Sequence, residues 1–233
     1  MPALASVAAL RQALASAPCT AADVSTPERG PVVVTGLAGS GATELRRRIA
    51  ALINPRVLDW RVTPVGSTFC EALGAVRAAA PDNDPPALAL VGGRTVLHDG
   101  ERIEPVVTMP AFEGEIRVDY IVHDGSLVHL YPTVADPAQH VAAVPGRALR
   151  SGERVTLGDG AGGQPVWEVG PPYGTDMIVA VASSAPLLAP PPARNAEDSG
   201  AAYLDRLRAA IEAARAKGER VSSSVLLVQT LAK

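Results

Sequence analysis

Aromatic residues are scarce: Phe, Trp and Tyr together make 3% of the 233 residues. A core built on rings is therefore excluded, and Val, Leu, Ile and Ala must supply the buried surface of a chain that is 47% hydrophobic. A basic surplus is lacking too. Lys and Arg number 21 against 24 Asp and Glu, giving a net charge of −3. Nothing is left over to neutralise a run of phosphates, which argues against a nucleic-acid or anionic-membrane binder. No apolar run reaches the roughly 18 residues that cross a bilayer, so no direct membrane insertion is expected. Residues 1–18 lack a positive leader and carry Arg11 and Gln12 inside their apolar pattern. They read as an amphipathic helix and not as a signal peptide.

Signatures of catalysis are equally thin. His98, His123, His129 and His140 are scattered, with no HExxH among them. Asp99, Asp124 and Asp159 sit in glycine turns without the EF-hand spacing, and Ser183-Ser184 lacks a G-x-S-x-G elbow. No catalytic residue, cofactor or metal is expected. The only cysteines, Cys19 and Cys70, are too far apart for a zinc ribbon or a CxxC pair. Both lie at the ends of expected elements, where bridges commonly sit, and a disulfide is expected between them. It would close a loop of about fifty residues and contribute roughly 3–4 kcal/mol. The alternative is two buried thiols in a cytosolic protein.

What the chain does hold is turn-formers, with 21 Gly and 21 Pro. The length allows one large domain or two small ones. Periodicity predicts a helix over 4–16 with Leu4, Val7, Leu10 and Leu14 on one face, strands at 19–25, 32–34 and 56–64, and helices at 43–53 and 67–79. The Pro-Asp-Asn-Asp-Pro-Pro run at 81–86 reads as a linker. Beyond it come short strands, at 87–91, 94–97, 103–109, 115–122, 127–132, 153–157, 165–169 and 175–182. A helix at 197–217 and a strand at 221–231 follow. The expected class is α+β: a small α/β module over 1–80, a linker at 81–87, and an antiparallel β-sandwich with one long helix over 88–233.

Residues 115–133 form the clearest hairpin, with Asp124-Gly125 as a two-residue turn flanked by His123 and Ser126. The pairs expected are Val122 with Leu127, Ile121 with Val128, Tyr120 with His129, and Val118 with Tyr131. Tyr120 then lies beside His129 on one face. Residues 36–43, from Gly36 to Thr43, fit the phosphate-loop pattern G-x-x-x-x-G-K-[ST] except that Ala42 replaces the lysine. That lysine carries the charge placed on a nucleotide's β/γ-phosphates. A structural turn is the leading reading. A degenerate phosphate site on Gly39, Ser40, Gly41 and Thr43 is the alternative, with Ser40 or Thr43 as N-cap of the next helix.

The helix–strand order of residues 1–80 and the phrase VVVTGLAGSGATELRRRIAAL resemble the BON domain, a small α/β module of bacterial envelope proteins. Residues 88–230 resemble a bacterial domain family of unknown function. That family is usually seen as the C-terminal module of serine/threonine protein kinases or caspase-like peptidases. The phrases that carry the likeness are VDYIVHDGSLVHLYPT, the Leu157–Gly160 turn, and Gly170-Pro-Pro-Tyr-Gly-Thr-Asp176 before an apolar strand and Ser183-Ser184. The likeness implies an accessory, non-catalytic module of bacterial signalling. The chain is accordingly read as a soluble, extracytoplasmic, periplasmic piece of a membrane-anchored protein. A protein partner or small ligand is expected at a pocket formed by Tyr120, His129, Tyr131, Tyr173 and Asp176. The rival readings are an NTPase at Gly36–Thr43, a hydrolase at Tyr120 and His129, and a structural assembly module.

Overall fold

The computed structural model describes residues 7–28, 30–53, 57–79, 84–135, 143–161, 164–188 and 200–233. Expectations that concern Leu4, residues 81–83, His140 and the helix start at 197–199 lie outside them. The fold is α+β, and the chain forms two compact units, Met1–Arg77 and Ala78–Lys233. The second begins before residue 88: Asp84 already accepts a hydrogen bond from the Ala111 amide, at 2.6 Å, and Ala87 starts a strand.

The first unit runs in the expected order. It comprises α1 (Val7–Ala15), β1 (Thr20–Ser25), β2 (Val32–Ala38), α2 (Ala42–Leu52) and β3 (Leu58–Pro64), then the start of α3 (Cys70–Ala79). β2 is the middle strand, antiparallel to β1 and parallel to β3. Leu10 and Leu14 of α1 and Leu45 and Ile49 of α2 meet Val24, Val34 and Val62 of the sheet in one buried cluster. Their spacing of three and four residues puts each helix's apolar stripe on that cluster. Cys19 and Cys70 are joined in a disulfide that ties the start of β1 to the start of α3.

The glycine segment differs from expectation. β2 continues through Gly36 to Ala38, so the connection to α2 is only Gly39–Gly41. Gly36 has φ +141°, and a Cβ there would come within 2.3 Å of the Ala21 carbonyl oxygen across the ladder. At Gly39 a Cβ would meet the Cys19 sulfur at 2.3 Å. These glycines therefore serve close backbone approach. The N-cap of α2 is Gly41, with no side-chain cap, and neither Ser40 nor Thr43 fills that place.

The second unit has β4 (Ala87–Leu90), β5 (Val96–His98), β6 (Pro105–Thr108), β7 (Glu115–Ile121), β8 (Leu127–Tyr131), β9 (Arg154–Thr156), β10 (Thr175–Ser183), α4 (Gly200–Ala216) and β11 (Val221–Leu231). Five strands make the main sheet, in the order β5-β11-β10-β7-β8. Three make a second, in the order β4-β6-β9. Ile116, Val118, Tyr120, Ile178, Ala180 and Ala182 share a core with Leu90, Val107 and Met109 from the side of the smaller sheet. This is sandwich packing. On the opposite face lies α4, whose Tyr203 reaches Asp119 and His129 on β7 and β8. Because β10 is covered on both faces, it is a nearly unbroken apolar run, buried from Asp176 to Ser183.

Residues 165–169 do not form a strand. They hold one bridge, Arg102 opposite Glu168, fixed by Ile103 N–H to Trp167 O and Val169 N–H to Glu101 O, both 2.9 Å. Pro165 has no N–H to extend the ladder.

The hairpin is shifted by one residue. Val122 N–H donates to Ser126 O at 2.9 Å, so the loop is His123-Asp124-Gly125, with Gly125 at φ +92°. This is the three-residue hairpin in which glycine takes the left-handed position. Asp119 therefore pairs with His129, Tyr120 with Val128, and Ile121 with Leu127. A bulge between Val118 and Asp119 then restores the expected Val118–Tyr131 pair.

Candidate functional site

The register decides the chemistry of both faces of the sheet. With Val128 and not His129 opposite Tyr120, the cleft face of the hairpin carries Tyr120, Val122, Val128 and Leu130. These side chains form one wall of a cleft of about 340 Å³. The other wall is the segment from Val166 to Pro172, joined by Ile103, and its rim includes the cis peptide Pro171–Pro172. Asp176 and Thr230 lie at the base beside Tyr120.

Asp176 is 2% exposed, and its carboxylate is fully engaged. Tyr120 Oη–H donates to Oδ2 at 2.7 Å, and the Thr230 hydroxyl lies 3.3 Å from the same oxygen. The His123 amide donates to Oδ1 at 2.9 Å, and His123 Nδ1 is 2.8 Å from it. A buried carboxylate is tolerated only with such a set of partners. The fit is close: a Cβ on Gly174 would meet His123 Nδ1 at 2.5 Å.

A second buried carboxylate lies on the opposite face. Asp119, also 2% exposed, has its Oδ1 2.6 Å from His129 Nδ1 and its Oδ2 accepting from Tyr203 Oη at 3.0 Å. The His129 and Tyr203 rings meet edge to face, 4.5 Å between centroids. Two Tyr–Asp–His clusters thus flank the hairpin, one on each side. Tyr120 and His129 belong to different ones and form no polar pocket together.

Of the five residues expected in one pocket, Tyr120 and Asp176 meet at the cleft. His129 sits under α4. Tyr131 Oη accepts from the Arg147 amide at 3.1 Å, and Tyr173 Oη donates to Asp99 at 2.9 Å, so each secures a neighbouring segment. At the glycine turn, the Gly39 amide donates to Cys19 O and the Ala42 amide to Gly39 O, so two of its amides are already committed. Among the described residues, no group of three His, Cys, Asp or Glu is placed to hold a metal ion.

Asp119, Tyr203, His123 and Thr230 were not foreseen. A signal for the first was present: an acid inside Val-Asp-Tyr-Ile-Val, flanked by residues of a buried strand, must find hydrogen-bond donors. The partners themselves come from distant segments and leave no local trace.

Burial, and after it the hydrogen bond to Asp176, raises the Tyr120 phenol far above the ordinary tyrosine value. Burial and then Asp119 do the same for Tyr203, with Arg117 pulling the other way. A raised folded value means that the native state holds these protons more tightly than the unfolded chain does. Their contribution to stability is whole below about pH 10, the ordinary tyrosine value, and is lost as pH rises through the folded value. The expected result in an absorbance titration at roughly pH 11 is that Tyr120 and Tyr203 stay un-ionised while the protein is folded. Both should ionise together on alkaline unfolding. Smooth ionisation of all four tyrosines near their ordinary value in folded protein would contradict this.

Comparison with known proteins finds no family model, no curated protein and no solved structure that matches the chain.

Proposed function

We propose that this chain is a non-catalytic binding module whose ligand seat is the cleft over Tyr120 and Asp176. It belongs, on this reading, to the C-terminal sensory region of a bacterial signalling protein of the serine/threonine kinase or caspase-like type. The observation that carries the proposal is the combination of an apolar-walled cleft with a polar base whose acid is already saturated. A general base needs a lone pair free to take a substrate proton. Asp176 spends its acceptor positions on Tyr120, His123 and Thr230, so it fixes the shape of the base of the cleft and is not poised for proton transfer. Apolar walls with a few fixed polar groups are the usual composition of a small-molecule site.

The Cys19–Cys70 bridge supports an oxidising compartment, since disulfides persist outside the reducing cytosol. Among the described residues no helix is long and apolar enough to cross a membrane. We therefore assign the chain to the periplasmic part of an anchored parent. The test is a fragment screen on isotope-labelled protein. Amide shifts should cluster at Val122, Val128, Leu130 and Gly170, and calorimetry with magnesium-ATP or magnesium-GTP should give no heat. Hits confined to Gly39–Thr43, with heat from nucleotide, would replace this reading with the phosphate-site one.

A further inference from the structure

We propose that the cleft is selective for a small organic cation, an apolar body ending in a protonated amine. The inference rests on the reading of the cleft as a binding site and concerns what that site accepts.

The first ground is charge. Two ionisable acids line the cleft, Asp176 at its base and Glu168 at its exposed rim, and among the described residues no Lys, Arg or His does. Walls of low dielectric strengthen the field of such acids inside a cleft. A carboxylate or phosphate entering it would meet the Glu168 charge at the rim and, at the base, a carboxylate whose nearest basic group, the His123 ring, is already turned to it.

The second ground is the direction of the hydrogen bonds. A phenol has one proton to give and lone pairs to receive with, and Tyr120 gives its proton to Asp176. The Thr230 hydroxyl likewise has one proton, shared between the Gly174 carbonyl at 3.2 Å and Asp176 at 3.3 Å. Thr230 Oγ1 already accepts from the Gly174 amide at 2.9 Å, so the acceptor capacity left for a guest is chiefly that of the Tyr120 hydroxyl. Glu168 is an acceptor as well, and the Trp167 indole N–H is the one uncommitted side-chain donor of the lining, so its polar side chains ask a ligand mainly for donors. An ammonium group supplies donors and charge together.

The third ground is the pair of rings. Trp167 and Tyr120 both line the cleft, and aromatic faces attract cations, tryptophan most strongly. The remaining lining, Ile103, Val122, Val128, Leu130 and the Pro171–Pro172 rim, suits a hydrocarbon or aryl body and offers it nothing polar.

The experiment uses three probes of nearly one shape on the full chain: 2-phenylethylamine, 2-phenylethanol and 3-phenylpropanoate. Binding is followed by amide shifts at Val128, Leu130 and Gly170. The amine should bind at least about tenfold tighter than the carboxylate, the alcohol lying between, since a factor of ten needs only about 1.4 kcal/mol. Glu168→Gln, at an exposed position, should weaken the amine about two- to fivefold and leave the alcohol unchanged, as loss of one solvent-exposed charge contact predicts. Val166→Arg, also exposed, should weaken the amine and improve the carboxylate. Equal binding of all three probes in the cleft would overturn the cation preference and leave the binding-site reading standing. If none of the three moves the cleft amides, both fall.

Discussion

Replacing Asp176 with alanine should cost the second unit about 3–5 kcal/mol, the range for removing one member of a buried charged network. The mutation strands three hydrogen-bond donors at once: the Tyr120 hydroxyl, the His123 amide and the His123 ring. Each buried donor left without an acceptor costs about 1–3 kcal/mol. The cavity left by the side chain adds to this. Asp176→Asn should recover part of the loss, because its Oδ1 can still accept from His123 while its amide group donates to the Tyr120 hydroxyl oxygen. Tyr120→Phe, by contrast, removes one donor and leaves the carboxylate with its others, so a loss of about 1–2 kcal/mol is expected. Urea unfolding resolves the three variants. Were Asp176→Ala to unfold at the wild-type midpoint, the carboxylate would not be the node that holds the hairpin loop to the base of the cleft.

Reduction of the Cys19–Cys70 bridge should destabilise the first unit by about 4 kcal/mol and leave the second untouched. The bridge spans a sequence separation of 51, and closing a loop of that length removes chain entropy from the unfolded state by about that amount. A unit of this size has little stability to spare, since small domains bury a modest share of their surface. Thermal unfolding with and without reductant, followed alongside the Cys19→Ser, Cys70→Ser double variant, is the measurement. The transition of the first unit should move and that of the second stay. A protein whose two transitions respond equally, or not at all, would show that the bridge does not carry the first unit.

Element types were legible where a pattern was long. The α1–α2–β1–β2–β3 unit follows directly from helical and alternating spacing, β10 announces itself by a nearly unbroken apolar run, and β11 by the apolar stretch Val225-Leu226-Leu227-Val228. The bridge was legible because both cysteines sat at element ends. What was not legible was register. Asp124-Gly125 is an equally good signal for a two-residue and a three-residue loop, and in the three-residue loop that forms, the His123 amide is taken by Asp176, more than fifty positions away. A one-residue slip exchanges the faces of a strand. It therefore moved Val128 and Leu130 into the cleft and His129 out of it. The second wall went unread for a related reason. Residues 166–172 have no periodicity of their own and are placed by the bonds of Trp167 and Val169 to the segment around residue 102.

The strand order of the main sheet also carries a message about synthesis. Its first-made strand, β5, pairs only with β11, the last to leave the ribosome, and β11 must slot between β5 and β10. Until residues 221–231 emerge, β10 presents an open edge along an almost wholly apolar sequence, and β5 has no neighbour. Such an edge is a template for pairing with other chains. The nascent protein therefore spends the whole translation of residues 184–220 in its most association-prone state, and a ribosome stalled there would leave the sheet open where it most needs closing.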